Sequence, residues 1–319
     1  MSTQPSSRFL HLAKWTLVFV YLVIIAGSVV RATGSGMGCP DWPKCFGHWI
    51  PPTNVSQLPA NYQTYFKVQE QRIAPFNALQ TWTEYGNRLI GAVLGLLMFA
   101  QLFLAWRIRK EHPLFLKLAL ATLILTGMEG VLGAIVVHTN LHTGVITLHM
   151  FLSLIILTVQ AYLVMKASAT RMVKPHSKFL SKWILVSFVF TTLQILAGTQ
   201  VREHVDVLLK NFDENTRGDI LPNVGLLFYS HGTFAWVLLA LNLFVCYLIY
   251  RDQEFYQMVK KRVGALLLVL LLEIGAGASL SLFALPAFIQ PVHLLLACLL
   301  FGIQWGLVLT SSLRVTDEP

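Results

Sequence analysis

Eight long apolar stretches, separated by short polar segments, dominate the pattern along this chain. Each is close to the roughly 20 residues that a helix needs to cross the hydrocarbon core of a bilayer. They cover residues 15–33, 84–106, 114–137, 143–165, 182–201, 225–250, 262–283 and 289–312. The pattern therefore predicts an all-α integral membrane protein with eight transmembrane helices.

The second half of this pattern repeats the first. A shift of 144 residues places Glu129 on Glu273, and it also places His149 on His293. The same shift superposes Glu84-Tyr85-Gly86-Asn87-Arg88 on Phe228-Tyr229-Ser230-His231-Gly232. We therefore predict two tandem, pseudo-symmetric four-helix bundles, formed by residues 1–170 and 171–319.

Composition agrees with a membrane protein. Of 319 residues, 55% are hydrophobic and 12% charged, and the mean hydropathy is +0.62, which excludes an ordinary soluble domain. The net charge of +9 arises from Lys and Arg between the apolar stretches, a distribution that sets membrane topology and does not favour nucleic-acid binding. Placing both termini in the cytoplasm puts 16 of the 24 basic residues on that side. A bacterial inner membrane is the expected location.

The first outside loop, residues 34–83, is the largest connection and contains two cysteines. Cys39 and Cys45 are separated by five residues that include two prolines. An oxidising compartment favours a disulfide between them, and a metal site is the weaker alternative because five residues intervene and no convincing partner ligands are present. Cys246 and Cys298 lie within apolar stretches and are expected to be buried.

Four equivalent positions could bind a cofactor. His231, His293 and His149, together with Asn87, lie four to seven residues inside even-numbered helices, about 6–10 Å below the outer surface. Paired imidazoles on separate helices of a bundle suit the axial positions of a haem iron. The alternative is a histidine hydrogen-bonded to lipid or loop. Glycines in the neighbouring stretches would let a flat macrocycle approach the backbone: Gly91, Gly95, Gly127, Gly130, Gly133, Gly275 and Gly277.

The two halves differ at these positions. The second half has two imidazoles, which would saturate an iron and suit electron transfer. The first half has one imidazole, a carboxylate at Glu84 and a guanidinium at Arg88, where the second half has Phe228 and Gly232. A carboxylate at the membrane boundary is a candidate functional group. Its alternative role is a salt bridge to Arg88 one turn along the helix.

Further charged residues lie in or near the membrane. Arg31, Arg88 and Arg202 at the outer rim could bind porphyrin propionates, or could anchor helix ends in the headgroups. Glu129 and Glu273 fall near the middle of their stretches. A carboxylate there is expected either to be protonated and hydrogen-bonded or to line a proton or water path.

The segment Arg31-Ala32-Thr33-Gly34-Ser35-Gly36-Met37-Gly38-Cys39-Pro40-Asp41-Trp42-Pro43-Lys44-Cys45-Phe46-Gly47 closely resembles the first outside loop of haem A synthases. The resemblance extends over essentially the whole chain, through the eight helices, the Glu84-Tyr85 pair and the histidines of helices four, six and eight. It implies oxidation of the C8 methyl group of haem O to a formyl group, giving haem A for terminal oxidases. Two successive hydroxylations and loss of water from the gem-diol are implied.

The resemblance also implies site residues and partners. A haem b cofactor would be held by His231 and His293, and the substrate haem O would bind in the N-terminal half near Glu84 and His149. Cys39 and Cys45 would form a disulfide. The enzyme that makes haem O, a farnesyltransferase, is a candidate partner, and no residue identifies the electron donor.

One position departs from the family pattern. In place of Glu-Tyr-x-His-Arg, the chain has Glu84-Tyr85-Gly86-Asn87-Arg88, and asparagine is a poor iron ligand. Three alternatives follow: His149 alone holds the substrate iron, His138 or His142 supplies a second bond, or the activity is lost or altered. The competing functions are a non-catalytic haem b electron-transfer protein and, less favoured, a transporter.

Overall fold

The computed structural model describes residues 6–168, 177–209 and 220–312. In chain order its helices are α1 (Ser7–Ala32), α2 (Tyr62–Tyr65), α3 (Ala78–Arg107), α4 (Pro113–His138), α5 (Thr143–Ser168), α6 (Lys178–Leu208), α7 (Ile220–Val224), α8 (Leu226–Arg251), α9 (Gln253–Leu282) and α10 (Ile289–Ser312). Within these ranges, eight helices are long and apolar enough to cross a membrane, namely all except α2 and α7. The predicted all-α architecture with eight membrane helices is confirmed.

Several helices extend beyond the apolar stretches. α3 begins at Ala78 and α9 at Gln253, ahead of the stretches that start at residues 84 and 262. The Asn77 side chain accepts a hydrogen bond from the backbone of Gln80, and Asp252 accepts one from Phe255. Because such N-caps stabilise a polar first turn, hydropathy alone places the helix start too late.

The chain divides into two compact units, with the boundary between Ala167 and Ser168. The boundary predicted at residue 170 and both chain termini lie outside the described residues. In the first unit, α3 packs against α1 and α4. α5 completes the bundle, because Gln160 donates a hydrogen bond to the backbone of Ala13 in α1, and His149 contacts Glu129 in α4. α3 and α5 are therefore diagonal to each other.

The second unit has the same arrangement. α6 packs against α8, α8 against α9, α9 against α10, and α10 against α6, so that α8 and α10 are diagonal. Large apolar side chains fill the end of this bundle where α9 begins, among them Ile249, Phe255 and Leu266. Further along the same core, the buried polar side chains of Ser187, Asn242 and Gln304 hydrogen-bond to one another.

The loop between α1 and α3 is folded against the first unit. It contains a short 3-10 helix at Val55–Gln57 and an aromatic cluster in which Phe46 packs against Tyr62, Phe66 and Phe76. Trp82 in α3 donates a hydrogen bond to a loop carbonyl, that of Pro52. The loop is thus a structured cap over the end of the bundle where α3 begins.

Candidate functional site

In the second unit, His231 on α8 and His293 on α10 face each other across the bundle. Both rings are partly buried and are close enough to interact electrostatically. Nδ1 of His231 is buried and has no hydrogen-bond partner among the described residues, whereas Nδ1 of His293 lies 3.1 Å from Oε1 of Glu273. The backbone carbonyl of His231 accepts a hydrogen bond from Gln194 Nε2 at 2.8 Å, which fixes this turn of α8 against α6.

Each imidazole lies over a glycine of a neighbouring helix. A Cβ atom at Gly198 in α6 would be 3.0 Å from Cε1 of His231, and one at Gly277 in α9 would be 3.2 Å from Cε1 of His293. Such distances are shorter than ordinary carbon contacts, which optimise near 3.5–4.0 Å. A larger residue at either glycine would displace the ring, so both glycines define where the histidines sit.

These two histidines are suited to be the protein ligands of a haem. A porphyrin supplies four nitrogens to its iron, so the protein needs to provide only the axial ligands. His231 and His293 stand on diagonal helices of a four-helix bundle, the arrangement in which facing side chains hold such groups. The buried Nδ1 atom of His231, which no described residue hydrogen-bonds, is what a site preorganised around the imidazoles would show.

The first unit contains the equivalent arrangement with one imidazole replaced. His149 on α5 lies over Gly133 of α4, where a Cβ atom would be 3.6 Å from Cε1. Across the bundle, Asn87 on α3 points towards Gly27 of α1, whose Cβ atom would be 3.9 Å from Oδ1. Oδ1 of Asn87 is buried and has no hydrogen-bond partner among the described residues.

The two glutamates predicted near the membrane midplane, Glu129 and Glu273, each contact a histidine. Oε1 of Glu129 lies 3.2 Å from Nδ1 of His149, and Oε1 of Glu273 lies 3.1 Å from Nδ1 of His293. The sequence aligned these glutamates with each other but did not connect them to the histidines. Their contact depends on the rotation of adjacent helices, which an apolar pattern does not specify.

Glu84 is held by the disulfide loop. Its Oε2 accepts a hydrogen bond from the backbone N–H of Cys39 at 2.8 Å, and its Oε1 forms an ion pair with Arg88. Arg88 donates further hydrogen bonds to the carbonyls of Asp41 and Lys44, both at 2.8 Å. The side chains of Glu84 and Arg88 are only 6% and 14% exposed. The salt bridge considered as the structural role of Glu84 is therefore present.

The disulfide between Cys39 and Cys45 is formed, as expected. The loop that carries it contacts the backbone of α3 directly, because a Cβ atom at Gly38 would lie 2.5 Å from the carbonyl oxygen of Gln80. Cys246 and Cys298 are buried free thiols, also as expected. The disulfide, Glu84 and Arg88 thus form one connected structure at the start of α3.

The remaining candidates lie at the rim. Arg31 reaches Met150, the residue after His149, with Nη1 3.6 Å from Sδ. Arg202 binds Gln290 and Asp206 at 2.7 Å each. Both arginines therefore extend to the neighbourhood of a histidine helix, and their contact with propionates stays a prediction.

His138 and His142 are exposed at the turn between α4 and α5. His138 is the last residue of α4, and His142 immediately precedes α5. A bond from one of these two exposed histidines to the substrate iron therefore also stays a prediction.

Comparison with known proteins places this arrangement in a family. The sequence model of the COX15-CtaA family, described as cytochrome oxidase assembly proteins, matches residues 11–305. The chain belongs to this family. With its eight apolar helices, this COX15-CtaA protein is a multi-pass membrane protein, and the resemblance seen in the sequence is confirmed.

Individual relatives of this COX15-CtaA protein are bacterial proteins named heme A synthase. One from Nitrosomonas eutropha is 24% identical, and the alignment covers 94% of each chain. Another, from an Exiguobacterium species, is 26% identical over 88% of this chain and 86% of that protein. A third, from Shewanella oneidensis, is 32% identical over 59% of this chain and 54% of that protein.

Proposed function

We propose that this protein is a haem A synthase. It oxidises the C8 methyl group of haem O to a formyl group and so provides haem A for terminal oxidases. This is a four-electron oxidation, in which an oxidant from outside the chain hydroxylates the methyl group twice and the resulting gem-diol loses water to leave the aldehyde. Membership of the COX15-CtaA family and similarity to proteins named heme A synthase support this activity.

The inequality of the two duplicated sites carries the proposal. The second unit has His231 opposite His293, whereas the first has Asn87 opposite His149 and adds Glu84. A symmetric electron carrier would have an imidazole in place of Asn87 and would not need the carboxylate of Glu84. A substrate porphyrin held by the single imidazole of His149 would be bound less tightly than one held by two imidazoles, which suits its binding and release.

In this proposal the second unit holds the resident cofactor, haem b, through His231 and His293. The bound haem supplies one-electron redox chemistry. Gly198 and Gly277 place the two imidazoles, and Gln194 fixes the turn of α8 that carries His231. The first unit binds haem O, with His149 as its iron ligand.

Glu84 is the proposed catalytic residue. It lies one helical turn before Asn87 and Arg88 on α3, so that its carboxylate is on the same face as the substrate position. Its two oxygens are oriented by the Cys39 N–H and the Arg88 guanidinium. A carboxylate held in this way accepts a proton from the reacting centre without having to reorganise first.

The proposed location is a bacterial inner membrane, with both termini in the cytoplasm and the haem sites towards the outer face. The disulfide of the first loop supports this orientation, because disulfides persist in oxidising compartments such as the periplasm. Haem O is the substrate and haem A the product. A haem O-producing farnesyltransferase is the proposed delivery partner.

Extraction and chromatography of the haems bound to the purified protein test the activity. The wild type, Glu84→Gln and His231→Ala are expressed with and without a source of haem O. We expect the wild type to hold haem b alone without haem O, and haem A or its alcohol precursor when haem O is supplied. Glu84→Gln should keep haem b but accumulate unconverted haem O, and His231→Ala should lose haem b.

Glu111→Gln is the matched control, because it removes a carboxylate from an exposed turn between α3 and α4. It should behave as the wild type does. Haem b under both conditions, with haem O neither bound nor converted by the wild type, would overturn the proposal and favour an electron-transfer protein. Glu84→Gln with unchanged conversion would remove Glu84 from the catalytic role.

A further inference from the structure

α4 and α9 each contribute a glutamate and a glycine, four residues apart, to the histidine of the next helix. In α9, Nδ1 of His293 is 3.1 Å from Glu273, and the ring lies over Gly277. In α4, Nδ1 of His149 is 3.2 Å from Glu129, and the ring lies over Gly133. Because residues four apart lie on one face of a helix, the carboxylate and the glycine contact one ring together.

These glutamates lie in an environment that is energetically unfavourable for a charged carboxylate. Their side chains are 14% and 15% exposed, and their second oxygens, Oε2 of Glu129 and of Glu273, are buried without a hydrogen-bond partner among the described residues. A carboxylate inside a membrane helix is unfavourable unless it is paired, and such residues are usually functional. In both units the histidine Nδ1 is the polar atom that Oε1 approaches.

We propose that Glu129 and Glu273 are positioning residues for the iron ligands His149 and His293. Each carboxylate engages Nδ1, so that Nε2 is directed to the iron, and the glycine one turn further on fixes the plane of the ring. A carboxylate on the second nitrogen of a metal-bound imidazole orients the ring and makes it a stronger donor. This inference rests on the proposed haem sites.

The other pair of equivalent positions, those of His231 and Asn87, lacks such a carboxylate contact among the described residues. Nδ1 of His231 is buried without a hydrogen bond from any described residue, and its ring lies over Gly198. The equivalent position in the first unit is Asn87. Thus the histidine present in both units is the one with a carboxylate, and the position that differs is the one without. The carboxylate explains how His149 by itself can hold the substrate iron.

The test compares Glu273→Gln with Glu129→Gln in the full-length protein. A neutral amide on Nδ1 is a weaker acceptor than a carboxylate, so the imidazole of His293 should donate less to the iron. In Glu273→Gln we expect the reduction potential of haem b to rise, its electron paramagnetic resonance spectrum to change, and haem b retention on purification to fall by about 10- to 100-fold. In Glu129→Gln those properties should stay unchanged while haem O affinity falls about 10- to 100-fold.

Glycine variants provide a matched control on the same helices. A Cβ atom at Gly277 meets the ring of His293, whereas one at Gly275 meets nothing within 4 Å. Gly277→Ala should therefore alter the haem b spectrum and Gly275→Ala should not. In the first unit a Cβ atom at Gly133 would be 3.6 Å from Cε1 of His149, an ordinary contact, so Gly133→Ala should have a smaller effect than Gly277→Ala. If a glutamine variant fails to accumulate, these glycine variants still test whether the glycine one turn from the carboxylate places the ring of the histidine.

An unchanged potential and spectrum of haem b in Glu273→Gln would overturn the inference. So would equal effects of Gly277→Ala and Gly275→Ala. A failure of the proposed haem b site itself would give a different result from these two outcomes. In that case His293→Ala would retain haem b as the wild type does.

Discussion

At the scale of single residues, Asn87 is a position where this chain departs both from its own repeat and from the family pattern. It occupies the place of His231, and its Oδ1 is buried without a hydrogen bond from any described residue. Gly27 of α1, which lies beside Asn87 as Gly198 of α6 lies beside His231, still leaves space there, at 3.9 Å from Oδ1 to a Cβ atom. The cradle for an imidazole is therefore retained although the imidazole is absent.

Asn87→His should restore a second axial ligand in the first unit. With haem O bound, the wild type is expected to be high-spin, because His149 is the sole protein ligand, and Asn87→His should convert it to a low-spin, bis-imidazole species. Absorption and electron paramagnetic resonance spectra of the haem O complex measure this change.

Asn87→Ala is the control, and it should stay high-spin like the wild type. A wild-type complex that is already low-spin would contradict the prediction. It would indicate that another histidine, His138 or His142, supplies the second bond.

At the scale of helices, buried amides join the diagonal pair in each unit. Gln101 on α3 and Gln160 on α5 exchange hydrogen bonds of 3.1 and 2.7 Å, and Gln160 also reaches the Ala13 carbonyl on α1 at 3.0 Å. Gln304, the repeat counterpart of Gln160, joins α10 to Asn242 on α8 at 2.8 Å. These amides connect three helices in an environment without competing water.

Gln160→Leu should destabilise the first unit by about 1–2 kcal/mol, because it leaves the Gln101 amide buried and unpaired. The double variant Gln101→Leu/Gln160→Leu should recover much of that loss, since no polar group is then left without a partner. Thermal unfolding in detergent of the two single variants and the double variant measures the coupling. Strictly additive effects of the two substitutions would contradict the hydrogen-bonded pair.

The starts of several helices could be predicted only in part. The apolar stretches located all eight membrane helices, but polar first turns with N-caps at Asn77, Ser177 and Asp252 lay outside them. Such turns are stabilised by local hydrogen bonds and not by transfer to lipid, so a hydropathy pattern does not detect them.

At the scale of the whole molecule, the distribution of charge predicts the orientation in the membrane. The disulfide loop is placed outside and the basic turn between α3 and α4 inside. Glu70 in the loop and Lys110 in the turn are both exposed, so each can carry a cysteine as a reporter. The native free thiols, Cys246 and Cys298, are buried.

In spheroplasts, a membrane-impermeant maleimide should label Glu70→Cys. It should label Lys110→Cys only after the membrane is disrupted. Both variants should react fully in detergent, which serves as the control for accessibility. Labelling of Lys110→Cys in intact spheroplasts, without labelling of Glu70→Cys, would reverse the orientation.

The sequence by itself determined the number of membrane helices, the duplication and the family, and it favoured the disulfide. Each of these depends on features that lie along the chain: apolar length, a repeat at a constant offset, and one specific loop motif. It also identified the four positions at which iron ligands are expected, because the repeat aligned Asn87 with His231 and His149 with His293.

Only the tertiary structure decided which side chains meet across helices. In it Glu129 contacts His149, the ring of His231 lies over Gly198, and Glu84 accepts a hydrogen bond from the backbone of Cys39. The physical reason is that a membrane helix is apolar on all sides, so its sequence carries little sign of which face is turned inwards. The rotation of each helix is set by packing, by glycines that admit a neighbouring ring and by a few buried polar contacts.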